Sequence, residues 1–581
     1  MSDETDPDVD PVTLEVTRNA AAAVCEEMNA NLIRTGYSPN IKERRDCSCA
    51  LFDADAEMVA QAENMPVHLG SMPFSVRAAV DRFPRESLDP GDAILLNDPF
   101  YGGAHLPDLT LVTPVYHDGE LVAFTANRAH HADVGGSRAG SVSADSTEIY
   151  QEGLRIPPVK LFEAGEPNEA VFEMVLSNVR TPDERRGDLR AQEAANETGR
   201  RRFSELAERY GADELTVALE EIKDYSERRM RSEIESLPDG TYSFADVLDD
   251  DGAGTVDLPI EVALTVDGDE VRVDFAGTAD QTAGPVNAVF AVTASATYYA
   301  VRCVTDPEIP PNHGCYRPVT IDAPEGSLVN PDPPAAVVGG NLETSQRVTD
   351  VVLGAFAEVV PERVVAGSQG TMNNVTFGGR DPRSDEPYAF YETQGGGFGG
   401  RAGKDGLDGV HVHMSNTMNT PAEVLETAYP LRVARYELRE DSGGAGEFRG
   451  GLGLRRDITV RDHTATFSLL ADRQTHRPYG LFGGGDGESG SAVRIDPDGD
   501  AARLPQKSTH ALPPGTTVSI RTPGAGGYGD PAARSTAAIE RDLRAGKLSV
   551  ERARAAYGDD AIDEVLGSGP DPEKEGERPD E

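Results

Sequence analysis

The spacing of apolar residues changes several times along the chain. In residues 11–36, Leu14, Val16, Ala20, Val24, Met28 and Leu32 recur at roughly helical intervals and predict an amphipathic helix. Strand and loop segments follow to about residue 158. Residues 181–236 are polar and charged, through Arg185, Arg190, Glu193, Arg200 and Glu205, and predict a long helical arm available to a partner subunit. Residues 240–277 alternate as strands over 241–244, 260–264 and 271–275, with Asp267-Gly268 as the hairpin turn between the last two. Residues 287–304 and 345–360 are apolar and Ala-rich and predict buried helices. Residues 436–522 are Gly-rich and strand-like. The chain from Arg534 reads as helix, then as a disordered tail after Gly567, where Pro, Glu and Lys dominate. The expected class is α+β. It comprises a disordered 1–10, an N-terminal region 11–236, a central region 237–435, a β-rich 436–533 and a tail 534–581.

Composition narrows the setting. The 581 residues include 100 Asp plus Glu against 54 Lys plus Arg, a formal charge of -46. The acids are spread along the chain rather than gathered in one tail, and tryptophan is absent. A uniformly acidic surface holds water and cations at high salt, so the balance predicts a halophilic, cytoplasmic protein. No basic patch exists to neutralise phosphates, which argues against nucleic acid. Cys25, Cys47, Cys49, Cys303 and Cys315 form no C-x-x-C pair and predict free thiols. No apolar run is long enough for a signal core or a membrane span.

The chemistry gathers between Asn97 and Gly136. This stretch holds Asn97-Asp98-Pro99-Phe100-Tyr101-Gly102-Gly103-Ala104-His105-Leu106-Pro107-Asp108 and, beyond a strand-like segment, His130-His131-Ala132-Asp133-Val134-Gly135-Gly136. Three of the eleven histidines lie here, each within three residues of an aspartate. Imidazole and carboxylate together suit Zn, Mn or Fe. Pro107 places His105 and Asp108 on a rigid loop. His130 and His131 point to opposite faces of an extended strand, so one ligates while the other contacts substrate or steadies the ligand.

Two glycine-rich loops invite a nucleotide reading, which fails. Gly524 to Gly529 matches G-x-G-x-x-G, but Asp530-Pro531 follows where a helix is required. Gln394 to Gly400 lacks the Lys-Ser/Thr of a P-loop, and no G-x-S-x-G elbow occurs. Structural turns are the expected role of both loops. His411 and His413, two apart on an expected strand near Asn416 and Asn419, are candidate substrate contacts.

The surrounding segments resemble a known family. They are Ile41-Lys42-Glu43-Arg44-Arg45-Asp46-Cys47-Ser48-Cys49-Ala50-Leu51-Phe52-Asp53, Met65-Pro66-Val67-His68-Leu69-Gly70-Ser71-Met72, Glu152-Gly153-Leu154-Arg155-Ile156-Pro157-Pro158, Gly340-Asn341-Leu342-Glu343-Thr344-Ser345-Gln346-Arg347 and Thr522 to Pro531. Together they resemble the hydantoinase B/oxoprolinase family, most closely its N-methylhydantoinase B subunits, over about Asp10 to Asp530. Cys47 stands where an aromatic is expected and Ala104 where a hydroxyl residue is common.

The resemblance implies a mixed, multi-segment hydantoinase B-like fold with an N-terminal metal-site region. It implies a hetero-oligomer with an ATP-binding A subunit that phosphorylates a cyclic amide, so ATP is used by the partner and not bound here. A related acetone carboxylase subunit holds manganese through a Glu, a His-x-x-Asp pair and a later His. Carried over, these imply Glu43, His105, Asp108 and His130 as metal ligands. Asp98 and His68, within the matching segments, join His411 and His413 as candidate substrate contacts.

The expected reaction is metal-assisted ring opening of hydantoin, N-methylhydantoin or 5-oxoproline, with His131 or Asp133 taking the proton from a metal-activated water. The alternatives are the metal-bearing subunit of an ATP-dependent carboxylase and a non-catalytic scaffold.

Overall fold

The computed structural model describes residues 9–62 and 64–567. The first eight residues and the tail after Gly567, both expected to be disordered, lie outside the described residues. Four sheets organise the rest. The first has the order β2-β1-β5-β4-β3-β6-β7, from β1 (Cys47–Asp53), β2 (Met58–Gln61), β3 (Ala93–Leu96), β4 (Asp108–His117), β5 (Glu120–His130), β6 (Val159–Glu163) and β7 (Glu166–Pro167). The second is β11-β10-β9-β8, from β8 (Gly240–Asp250), β9 (Val256–Asp267), β10 (Glu270–Asp274) and β11 (Val319–Asp322).

The expected alternation over 240–277 is present, and Gly268 turns the β9–β10 hairpin at φ +61°. The helix expected over 11–36 runs Pro11–Thr35, and the two buried helices are Phe290–Val304 and Ser345–Phe356. A π-helical turn, Gly340–Thr344, precedes the second and has no signature in the pattern of apolar residues.

The charged stretch 181–236 forms two helices, Pro182–Tyr210 and Ala212–Glu235, broken at Gly211 with φ +87°. They are not a projecting arm. Ala191, Ala195, Phe203 and Leu219 are buried with Cys25 and Met28 of the N-terminal helix against the first sheet. The inner face of this pair therefore belongs to the chain's own core.

The remaining strands are β12 (Asn374–Arg380), β13 (Pro387–Glu392), β14 (Leu431–Leu438), β15 (Leu454–Val460), β16 (Ala465–Leu470), β17 (Ser491–Ile495), β18 (Ala501–Leu504), β19 (Lys507–Leu512) and β20 (Thr517–Arg521). They form the sheets β13-β12-β16-β19 and β14-β15-β20-β17-β18. The expected boundary at 435/436 thus falls inside β14, and one sheet draws strands from both sides of it. The glycine loops pack backbone against backbone. A Cβ on Gly524 would lie 1.8 Å from Ser442 O, and one on Gly450 1.9 Å from Ala525 O, so neither position accepts a side chain.

Glu152 ties the loop after β5 to the second half of the chain. Its Oε1 accepts the Val337 and Val338 amides at 2.9 and 3.0 Å. Full burial pushes its carboxyl up to about 8, despite these two donors. The folded state therefore keeps a proton that the unfolded chain loses above the ordinary glutamate value of 4.5. Stability from this group is complete below that value and falls as pH rises toward 8, by up to about 1.4 kcal/mol per pH unit. In melts from pH 5 to 8, Glu152→Gln, which cannot ionise, is expected to gain progressively on the parent. A gap between the two that stays constant would contradict this.

Candidate metal centre

Period two in three neighbouring strands builds the site. On β5, Phe124 and Ala126 face the helix Pro66–Arg82, and Arg128 and His130 continue that face. Thr125 and Asn127 face the helix Pro182–Tyr210, and His131 follows them. The adjacent histidines do separate. His130 turns toward Asp108 and His105, whereas His131 Nε2 meets Gln192 Oε1 at 2.9 Å. On β1, Ser48, Ala50 and Phe52 share the His130 side, and Asp46 extends that line. On β4, Asp108 sits directly across from His130 in the ladder. The His130 amide donates to Asp46 O at 3.0 Å, and the Asp108 amide donates to His105 O at 3.1 Å.

Three candidate ligand atoms converge as a result. His105 Nε2 and His130 Nδ1 lie 3.0 and 3.1 Å from Asp108 Oδ1 and 3.2 Å from each other. All three side chains are buried. Donor atoms each about 2.0–2.2 Å from one ion adopt this spacing. Among the described residues no protein cation stands between them, and a metal at their centre would satisfy all three at once. The donor set therefore fits a divalent metal.

His68, expected as a substrate contact, belongs to the same cluster. Its Nε2 lies 3.3 Å from Asp108 Oδ2 and 3.8 Å from Asp46 Oδ1, and its Nδ1 lies 3.4 Å from Ser48 Oγ. Burial raises the Asp108 carboxyl, but His105 and His68 outweigh it and hold the group well below the usual carboxylate range. Burial pushes His130 down.

Other expected site residues lie elsewhere. Glu43, half-buried at the end of the short helix Pro39–Lys42, is not among the converging groups. Asp46 is the acid of that segment that reaches the cluster. Asp133 is spent on structure. Its Oδ1 accepts the Gly135 and Arg180 amides, and its Oδ2 accepts the Gly140 amide and Arg180 Nη1 at 2.8 Å. Burial brings His131 down to about 4, a neutral ring held by Gln192. Neither is placed to take a proton at the centre.

Asp98 caps the turn Pro99–Tyr101 and pairs with Arg155 at 2.9 Å, beside a surface cavity of about 540 Å³. His411 and His413 do not lie on a strand. His411 Nδ1 meets Ser415 Oγ at 3.1 Å, while His413, at φ +49°, turns its Nε2 to Asp350 Oδ1 at 3.4 Å.

Sequence reasoning missed Asp46, Arg44 and Tyr391. Asp46 could have been found by extending the β1 alternation back from Phe52. A second acidic group, Asp53, Glu57 and Glu220, also converges. Lys223 Nζ already sits among these acids at 2.5, 2.5 and 2.7 Å, so this is an ion-pair cluster.

Residues 10–531 match the hydantoinase B/oxoprolinase family model. The chain belongs to that family. An uncharacterized protein of Methanocaldococcus jannaschii is 44% identical over 94% of this chain and 96% of its own length. The 5-oxoprolinase 1 of Arabidopsis thaliana is 39% identical over 90% of this chain, which spans only 42% of that protein. The crystal structure of the ATP-dependent caprolactamase of Pseudomonas jessenii superposes with a TM-score of 0.89 at 33% identity, covering 95% of this chain and 96% of that one. The fold is thus the family's mixed α+β arrangement. Among the described residues no helix is long and apolar enough to cross a membrane.

Proposed function

We propose that this chain is the B subunit of an ATP-dependent hydrolase that opens cyclic amides such as hydantoins, 5-oxoproline or lactams. The observation that carries this is the buried convergence of His105, Asp108 and His130 in a chain of this family. The caprolactamase relative is named as a subunit beta, which supports a separate partner. Among the described residues no phosphate-binding loop stands out, so ATP is assigned to that partner.

An unstrained cyclic amide is a poor electrophile. Activation of its oxygen by the partner leaves a carbon that water can attack. His105, Asp108 and His130 would hold a divalent Mn, Zn or Fe ion, which when bound supplies Lewis-acid activation of water. His105, Asp108 and His130 are themselves buried, so bulk water does not compete at their donor atoms. His68 Nε2, between the Asp46 and Asp108 carboxylates, is the atom best placed to hold a proton beside the centre.

The test is reconstitution of the chain with its ATP-binding partner on hydantoin, 5-oxoproline and caprolactam. ATP-dependent ring opening of at least one is expected, lost on chelation and restored by a divalent metal. His105→Ala should remove both metal and turnover. Carboxylation of a ketone without amide hydrolysis would replace this reading with the carboxylase one. Full activity in metal-free protein would overturn the metal assignment.

A further inference from the structure

A metal-ligating histidine is ordinarily oriented through its far ring nitrogen, which donates to a carboxylate, a carbonyl or water. His130 departs from this. Among the described residues no group hydrogen-bonds its Nε2, although the atom is buried. Its ring is held by stacking instead. The Tyr391 ring lies against it with centroids 4.5 Å apart and planes 20° from parallel.

Tyr391 comes from β13, some 260 residues away in the chain, and is itself fixed at both ends. Its backbone lies in the β13–β12 ladder. Its hydroxyl donates to Asn374 Oδ1 at 3.0 Å. The Asn374 amide in turn donates to Glu343 Oε1 at 2.8 Å and Leu470 O at 2.9 Å, which sets its orientation. The Met372 amide donates to the same Glu343 oxygen at 3.2 Å, so the anchor is held in the π-helical turn. Arg44 adds a further brace. Its guanidinium lies 4.9 Å from the Tyr391 ring centroid and 3.5 Å from Asp46 Oδ2.

We propose that Tyr391, tethered through Asn374 to Glu343, is a positioning residue that fixes the imidazole of His130 as a metal ligand. This rests on the metal reading above. The centre in the first sheet is then completed by the third sheet, and ligand geometry depends on how the two halves of the chain dock.

The test uses the full chain with Tyr391→Leu, which removes the ring, and Tyr391→Phe, which keeps the ring and removes the tether. Affinities for Mn²⁺ and Zn²⁺ are measured against a competing chelator, together with the absorption spectrum of the Co²⁺-loaded protein. Tyr391→Leu is expected to weaken metal binding about tenfold or more and to change the Co²⁺ spectrum. Tyr391→Phe should show a smaller change in the same direction. A purely structural role would lower the melting temperature and leave both readouts at parental values, which would overturn the proposal. Should the Leu variant fail to fold, parental affinity and spectrum in Tyr391→Phe would overturn it alone. A parent chain that takes up neither ion would overturn the metal reading and this inference together.

Discussion

Asp108→Asn is expected to abolish stoichiometric metal uptake and to lower ring-opening turnover by more than about a hundredfold. One oxygen of Asp108 meets both His105 and His130, the candidate ligands, and the other faces His68. The amide keeps the volume and removes the charge, so imidazoles and metal lose their only anionic partner within the converging set. Outer partners of metal ligands are worth about 10–100-fold, and a ligand shared by two histidines should exceed that. Elemental analysis and steady-state turnover of the reconstituted complex check it. Full metal occupancy with parental turnover in the variant would remove Asp108 from the centre.

Arg473→Ala is expected to destabilise the chain by about 3–5 kcal/mol, the usual range when one partner of a buried ion pair is removed. Arg473 Nη2 contacts Asp246 Oδ2 of β8 at 2.6 Å and Asp350 Oδ2 of the helix Ser345–Phe356 at 2.9 Å. Its Nη1 also donates to Arg477 O at 3.1 Å. Asp350 is almost wholly buried and also faces His413 at 3.4 Å, so truncation leaves a buried carboxylate without its closest cationic partner. Denaturant unfolding of the full chain would show the loss. A change below about 1 kcal/mol would mean that Asp246 and Asp350 find other cations, Arg347 being the nearest candidate for Asp246.

The candidate centre was partly legible because most of its parts are local. His105 and Asp108 lie three residues apart around Pro107, and His130 is brought to Asp108 by one hairpin. Period-two alternation was enough to send His130 and His131 to opposite sides. Two features defeated the reading. The acid from the 41–53 segment was placed by family spacing at Glu43, whereas the strand face selects Asp46. Tyr391 and Arg44 have no local signal, because their relation to His130 depends on docking of the third sheet. The same physics governs the fold. Helices and the 240–277 hairpins declare themselves through neighbouring residues. The pairing of β12 with β16 crosses about 90 residues, and the expected boundary at 435/436 cut through the region it spans.

The β4–β5 hairpin has a working end and a spare end. Asp108 and His130 close the ladder at one end, while the two-residue turn Asp118-Gly119 closes the other, with open space around Gly119. A register irregularity between Val115 and Tyr116 lies between them. A slip of one residue originating at the tip can be absorbed there before it reaches the Asp108–His130 pair. The tip is therefore where a residue can be added or removed without disturbing Asp108 and His130. For the same reason it is the natural point to graft a fluorophore or an affinity peptide when the partner subunit is sought.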